Sequence, residues 1–554
     1  MSKAGEMRHH FCLPHRSIVA ILLAIAVLAA SCGDDSSSDD ATSGTSAPST
    51  ATTEAPTTIA PTTAPPTITT PPPVEPIATP TPEVSLPPGV GSTFYQGVNI
   101  DLSQLGYEQS EYFISGTARS FTNVGEMLAN GEWTVEPADE ADYTTRILVI
   151  RPSNPADFNG TVMTEWFNVS GGLDAAPNLT MSHVQQFREG FAYVGVSAQF
   201  RGVEASTGTI DIGFPIFLKG IQPERYESLH HPGDSFSYDI FSQAAQAIRE
   251  PGDLDPLGGL EVQQMIAVGE SQSAFRLATY VNAIDPLLRL FDGYLIHSRG
   301  GGSAALSQEP QASISTPEQV FIRADMRVPV MTFQTDTDLL LLGWPPDRQP
   351  DGNNHVLWEV AGTAHGDRYS IALDVGPADV GDNPNIAEVI ELAIPIPGIM
   401  ECGAPINAGP QHYVLNAAIH ALNRWVAGGE PPTSAPLMEV VEAELDPDFE
   451  GRRQATHEAV TDEYGNILGG VRTAWVDVPV ATLTGNPPPG GGFCGLFGTT
   501  ILFDDALIAD LYPGKATYVD AMQASLDQSV ADGFLMAEDA ALILDNARTN
   551  DIAG

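Results

Sequence analysis

The stretch 265–273, MIAVGESQS, could supply a nucleophile. Ser271 lies at the centre of GESQS, after a short apolar, strand-like run and before a helix-compatible run, 274–280. A strand, a tight turn and a helix in this order would lift the serine hydroxyl above the edge of a sheet. The first amides of the helix would then point at the same place. Ser273 stands where a glycine is usual, so the string alone is a weak signal and its partners must lie elsewhere.

Acyl transfer by a serine needs a histidine that takes its proton and a carboxylate that orients the histidine. Asp338 follows a predicted strand, 328–335, and His365 lies in a loop of small residues after the next one, 355–362. Their order along the chain, serine, acid and then histidine, is one of the known triad orders. We therefore predict a triad of Ser271, Asp338 and His365, with Asp336 as the alternative acid.

Backbone amides must also bind the negative charge that develops on the substrate oxygen. Gln272 directly follows the nucleophile, and we predict its amide as the first donor. A turn of small residues, NVSGG at 168–172, follows the predicted strand 161–169. Val169 is the predicted second donor and Ser170 its alternative. The sequence contains no HExxH, CxxC or EF-hand spacing, so we predict neither a metal nor an organic cofactor.

Short apolar strands alternate with helices around these residues, which predicts the α/β class with a mostly parallel sheet covered on both faces. A hairpin of 132–137 and 143–152 is expected to precede the core, and helices to follow it at 412–427, 512–531 and 537–547. A further strand is predicted near 474–480. Core strands are predicted at 161–169, 192–199, 265–269, 291–298, 328–335 and 355–362, and a core helix at 235–249.

The charge balance excludes one class of partner. The chain has 70 acidic and 24 basic residues, a formal net charge of −46. Such a surface repels phosphate backbones, so nucleic acid is not expected to bind.

The N-terminal residues are typical of export. Basic residues precede an apolar run at 17–30, and small residues then precede Cys32. This junction resembles a bacterial lipobox, with Ala29 in the place of the usual leucine. We predict a signal peptide at 1–31, lipidation of Cys32 and attachment to the cell membrane or envelope; plain secretion is the alternative. Residues 32–89 are rich in Ser, Thr and Pro and are predicted to be a disordered tether.

We expect a core over 90–430 and, packed on it, a C-terminal extension over 431–554. In the mature, exported chain Cys402 and Cys494 would be the cysteines left besides Cys32. An even pair in an oxidising compartment predicts a disulfide, and two buried free thiols are the alternative.

The sequence from about residue 90 to near the end resembles a family of exported bacterial α/β-hydrolase-domain proteins. The stretches that carry the resemblance are 159–177 with VSGG inside it, 226–245 (YESLHHPGDSFSYDIFSQAA), 269–277 (GESQSAFRL), 359–367 (EVAGTAHGD) and 469–481 (GGVRTAWVDVPVA).

This resemblance implies an α/β-hydrolase fold and a serine hydrolase directed at small-molecule carboxylic esters, without implying a particular substrate. The family's pattern often has a glutamate at the position of Asp336, so that residue stays open as the acid. Two other functions also stay open: an inert binding lipoprotein on the same fold, and an acyltransferase that uses the same triad.

Overall fold

The structure is a computed structural model that describes residues 75–98, 100–205, 215–371, 400–445 and 454–554. The predicted signal peptide, the lipidation site Cys32 and most of the predicted tether lie outside these residues.

A nine-stranded sheet forms the centre of the molecule, with the spatial order β1-β2-β3-β5-β4-β6-β7-β8-β9. The three pairings from β1 to β5 are antiparallel, and the five from β5 to β9 are parallel. The predicted α/β class and mostly parallel sheet are confirmed. The strands are β1 (Glu83–Ser85), β2 (Tyr107–Asn123), β3 (Val135–Pro152), β4 (Thr161–Trp166), β5 (Ala192–Val196), β6 (Gln264–Glu270), β7 (Gly293–His297), β8 (Val330–Thr335) and β9 (His355–Val360).

Helices cover both faces of this sheet because neighbouring strand residues point to opposite sides. Val162 packs with Phe241 and Leu277 on one face, whereas Met163 packs with Leu179 and Leu415 on the other. The helices are α1 (Pro177–Arg188), α2 (Phe200–Val203), α3 (Leu218–Ile221), α4 (Pro223–Tyr226), α5 (Ser237–Arg249), α6 (Gln272–Thr279), α7 (Asp285–Leu288), α8 (Asp336–Leu340), α9 (Gln411–Val426), α10 (Ala474–Asp477), α11 (Asp505–Leu511), α12 (Lys515–Asp532) and α13 (Ala537–Thr549). Within the described ranges, none of them is both long and apolar enough to cross a membrane.

The antiparallel part of the sheet differs from the prediction. The expected hairpin of 132–137 with 143–152 is wrong, because Val135–Pro152 is one continuous strand that pairs with β2. Residues 138–142, among them Asp139, Glu140 and Asp142, continue the strand instead of turning. Their side chains face outward, where Asp142 accepts a hydrogen bond from Thr117 across the strand pair at 2.8 Å.

The sheet begins inside the segment predicted as a tether. Strand β1 pairs with β2 from Glu83 opposite Ser115, and the backbone N–H of Ile77 donates to the carbonyl of Leu287. The boundary predicted between residues 89 and 90 therefore stands too late, since a strand as short as β1 gains its stability by adding to an existing sheet.

The C-terminal extension takes part in three small antiparallel pairs among the described residues: β10 (Met400–Cys402), which precedes residue 431, with β14 (Gly490–Gly492), and, within the extension, β11 (Val440–Glu442) with β12 (His457–Ala459) and β13 (Ala481–Thr484) with β15 (Thr499–Leu502). It packs on the core through Phe534, whose ring lies 5.0 Å from that of Trp358, and through an ion pair of Arg188 with Asp539 at 2.7 Å. A disulfide joins Cys402 to Cys494.

One predicted element of the extension is wrong, and another begins at a different residue. The expected strand at 474–480 is the short helix α10, which buries Trp475; a short apolar run does not distinguish strand from helix. The expected helix at 512–531 is observed as α12, which begins three residues later, at Lys515; the shorter helix α11 before it was not predicted. The break falls at Pro513 and Gly514, and proline cannot continue a helix.

Candidate active site

Ser271 occupies a sharp turn between β6 and α6. Its φ of 56° lies in the left-handed region, which is rare for residues other than glycine. The backbones on either side approach closely: a Cβ on Gly269 would lie 2.7 Å from the carbonyl oxygen of Ser273. Backbone strain of this kind is held in place only by the surrounding structure and is common at active sites.

Ser273 replaces the usual glycine and closes the turn. Its hydroxyl donates to the carbonyl oxygen of Glu270 at 2.8 Å and accepts the Glu270 N–H at 3.1 Å. The residue that weakened the sequence signal therefore has its own role in holding the nucleophile turn.

The structure brings the three residues of the predicted triad together. Nε2 of His365 lies 2.8 Å from Oγ of Ser271, and Nδ1 of His365 lies 2.7 Å from Oδ1 of Asp338. The other oxygen of Asp338 accepts the N–H and the hydroxyl of Thr335 at 2.7 and 2.9 Å. With its proton on Nδ1, His365 presents a bare Nε2 to the serine hydroxyl, as a general base requires. All three side chains are buried.

Asp336, the alternative acid, points elsewhere. Its carboxylate accepts the N–H of Gly362 at 3.2 Å, and burial raises its pKa well above the ordinary value, against nearby backbone N–H groups that lower it. It therefore ties helix α8 to the loop that carries the histidine. The geometry at Nδ1 of His365 favours Asp338 as the acid.

The loop that carries His365 is also held by Leu496 of the extension and by Asn407. The N–H of Gly366 donates to the carbonyl of Leu496 at 2.9 Å, and the side-chain amide of Asn407 donates to the carbonyl of Gly362 at 3.2 Å. Leu496 is two residues from Cys494, so the disulfide lies next to this contact.

The backbone amides of the predicted oxyanion donors differ in whether they already donate a hydrogen bond. The N–H of Ser170 donates to Oδ1 of Asn168 at 2.9 Å, and the N–H of Gly172 donates to the carbonyl of Val169 at 2.9 Å. Within the described residues, the amides of Val169 and Gln272 make no hydrogen bond outside the strands and helices. The turn thus favours Val169 over Ser170 as a donor to a substrate.

Sequence reasoning missed Glu270, the residue just before the nucleophile. Its carboxyl group is 1% exposed and its Oε1 lies 3.5 Å from Nε2 of His365. Burial raises its pKa to about 8; the charge of His365 opposes this shift, and the charges of Asp338 and Glu165 add to it. Its place inside the elbow string was the available signal, but only the fold shows that its side chain turns inward.

Glu165 of β4 is a second buried carboxyl near the site that sequence reasoning missed. It accepts the N–H groups of Asn178 and Leu179 at the start of α1, at 2.9 and 3.1 Å, and the hydroxyl of Tyr193 at 2.8 Å. Burial raises its pKa to about 7. Its contacts anchor a helix rather than the histidine. In the part of the chain that the structure describes, no three or more His, Cys, Asp or Glu residues are grouped as metal ligands.

Comparison with known proteins identifies a family and several distantly similar structures. A family model described as "Alpha/beta hydrolase domain" matches residues 74–545. No curated protein matches. Similar solved structures include XC6422 from Xanthomonas campestris, described as an a/b serine hydrolase without lid, at 11% identity over 43% of this chain and 83% of that one, with a TM-score of 0.23.

A glucuronoyl esterase from Solibacter usitatus shares 10% identity over 47% of this chain and 70% of its own, with a TM-score of 0.24. A fungal esterase structure from Rhizomucor miehei shares 10% identity over 40% and 66%, with a TM-score of 0.20. At such identities the likeness concerns the fold, and these TM-scores give it no weight for function.

Proposed function

The chain belongs to the α/β-hydrolase-domain family, and on that premise we propose that it is a serine hydrolase that cleaves carboxylic esters. The observation that carries this proposal is the unbroken chain of hydrogen bonds from Asp338 through His365 to the hydroxyl of Ser271. The hydroxyl stands on a strained turn next to an unengaged amide, which is the arrangement that acyl transfer needs.

Each group then has a defined step. Oγ of Ser271 attacks the ester carbonyl carbon while Nε2 of His365 takes its proton. The N–H groups of Gln272 and Val169 hold the oxyanion of the tetrahedral intermediate. His365 returns the proton to the departing alcohol, which leaves an acyl group on Ser271. Water, activated by the same nitrogen, releases the acid, and Asp338 stays ionised and stabilises the imidazolium throughout.

The proposed setting is the cell envelope, with the lipidated Cys32 as the anchor and a small-molecule ester as the substrate. The apolar run at 17–30 and the small residues before Cys32 support this setting. Cys32→Ala should move the protein from the membrane fraction to the soluble fraction. Equal distribution of the two forms would rule out the anchor.

The test of the chemistry uses a fluorophosphonate probe and p-nitrophenyl esters of increasing acyl length. Ser271→Ala should lose labelling and about 10⁶ in kcat. Ser273→Ala is the matched control: it removes a hydroxyl from the same turn but keeps the nucleophile, so it should still be labelled, although more slowly because the hydroxyl also holds the turn. A Ser271→Ala enzyme that retains more than a small fraction of its turnover would refute the assignment, and an unlabelled wild type would point to a binding protein.

A further inference from the structure

Glu270 contacts both halves of the site. Its backbone carbonyl and its Oε2 accept the side-chain amide of Asn168 at 3.2 and 3.3 Å, and its Oε1 lies 3.5 Å from Nε2 of His365. The N–H and the carbonyl of Glu270 are further fixed by the Ser273 hydroxyl. Glu270 thus contacts the nucleophile turn, the base His365 and the end of the neighbouring strand.

Asn168 completes this connection on the side of the 168–172 turn. Its Oδ1 accepts the Ser170 N–H at 2.9 Å, and its backbone pairs in both directions with Ala175 at 2.9 Å. Strands β4 and β6 are parallel neighbours, so their carboxyl ends lie side by side. The Asn168 side chain bridges those two ends.

We propose that Glu270 and Asn168 form one positioning unit that fixes the 168–172 turn against the Ser271 hydroxyl and sets the charge beside Nε2 of His365. This inference rests on the proposed function. Neither residue needs to touch the substrate: Asn168 holds the backbone next to the Val169 amide, and Glu270 holds Asn168. The burial of both side chains, at 1% exposure each, keeps water from replacing these bonds.

The ionisation of Glu270 predicts a pH dependence of kcat that can be measured. The ionisable groups that face it are His365, Asp338 and Glu165, and Asn168 is its neutral partner. With a pKa raised to about 8 by burial, the carboxyl is mostly neutral at pH 7 and ionises above pH 8. An ionised Glu270 stabilises the imidazolium that forms 3.5 Å away, so kcat should rise as the pH passes through about 8.

The experiment measures kcat and KM on p-nitrophenyl acetate from pH 6 to 10, with active sites counted by fluorophosphonate labelling. Glu270→Ala and Asn168→Ala should each lower kcat per labelled site about 10- to 100-fold and leave KM within about threefold. The double variant should fall no more than about threefold below the worse single variant, because residues of one unit are not additive.

Glu270→Gln is the conservative variant. It still offers Asn168 an acceptor, so kcat at pH 7 should stay within about fivefold of wild type, while the rise near pH 8 disappears. Glu165→Gln is the matched control: it neutralises a buried carboxyl on the adjacent strand that anchors α1. The rise should remain, displaced to a slightly lower pH because one charge that raises the pKa of Glu270 has been removed.

Three results would refute the proposal that Glu270 and Asn168 act as one unit. They are a wild-type kcat in Glu270→Ala, single effects on kcat that multiply in the double variant, or a rise of kcat near pH 8 that persists in Glu270→Gln. Counting labelled sites separates these results from loss of folded protein. Absence of labelling in the wild type would instead refute the proposed function.

Discussion

Two clusters of buried carboxyl groups differ in how their charge is balanced. In the arginine cluster, at the antiparallel side of the sheet, Arg146 lies 3.2 Å from Glu111 and 2.5 Å from Asp174, and Arg225 also pairs with Glu111. At the active site, four carboxyls are bound by amides, hydroxyl groups and one histidine; they are Glu165, Glu270, Asp336 and Asp338. Within the described residues, no arginine or lysine hydrogen-bonds to any of these four.

The difference separates a structural cluster from a reactive one. Permanent cations balance the carboxylates of the arginine cluster. At the site, burial without a permanent cation raises the pKa of Glu165, Glu270 and Asp336. The proposed mechanism produces a cation there only transiently, when His365 takes the serine proton. Of these carboxyls, Asp338 and, once ionised, Glu270 lie beside His365 and can stabilise that imidazolium; burying such groups without a resident cation lowers the stability of the folded state.

The largest of these expected effects is on kcat and distinguishes Asp338 from Asp336, the two carboxyls of helix α8. Asp338→Asn should lower kcat about 10⁴-fold, because an amide at this position no longer holds the proton of His365 on Nδ1. Asp336→Asn should lower kcat less than about tenfold, since an amide oxygen can still accept the Gly362 N–H. Ester hydrolysis by both purified variants checks this, and the reverse order of losses would make Asp336 the acid.

In the arginine cluster the expected loss is in stability rather than in turnover. Arg146→Met leaves Glu111 and Asp174 buried without this partner, which should cost about 3–5 kcal/mol in the free energy of unfolding. The midpoint of urea denaturation reports the loss. Among molecules that still label with fluorophosphonate, kcat should stay within about twofold of wild type. An unchanged midpoint with a lowered kcat would show that the two clusters are not separate in function.

The smallest expected effect is a pH dependence of stability. Glu270 has a pKa of about 8 in the folded protein and an ordinary value of 4.5, so between these values the folded state binds a proton that the unfolded state releases. Stability should therefore fall as the pH rises from about 4.5 to about 8. Urea denaturation at pH 5 and 8.5 should show a loss of stability that is smaller in Glu270→Gln by on the order of 1–4 kcal/mol, and the part that comes from Glu165 and Asp336 should remain. Equal losses in both proteins would mean that Glu270 is not the group responsible.

Most of the parallel sheet could be predicted from local sequence patterns. Strands β4 to β9 are buried along their lengths, so they read as short apolar runs, and turns with functional residues follow several of them. This is why the positions of Ser271, Asp338 and His365 could be inferred from their order and their strand ends. The bounds of these strands differ from the predicted ones by a few residues.

The remaining parts depend on contacts between distant residues. Strand β2 carries Glu111 and Arg119 in its middle, and its polar residues are satisfied by partners such as Asp239 that no local pattern shows. The choice between Asp338 and Asp336 depends on side-chain direction, as does the role of Glu270. The two aspartates lie two residues apart on helix α8 and contact the same loop, Asp338 through the ring of His365 and Asp336 through the backbone N–H of Gly362.

The contact between the extension and the histidine loop depends on a residue that is synthesised late. During translation the ribosome makes Ser271 and Asp338 long before Leu496, whose carbonyl binds the loop beside His365. Domains form progressively as the chain emerges, from the N-terminus onward. The hydrogen bond from Gly366 to Leu496 can therefore form only after all three residues of the triad have been synthesised, and a chain truncated before Leu496 would lack this support of the histidine loop.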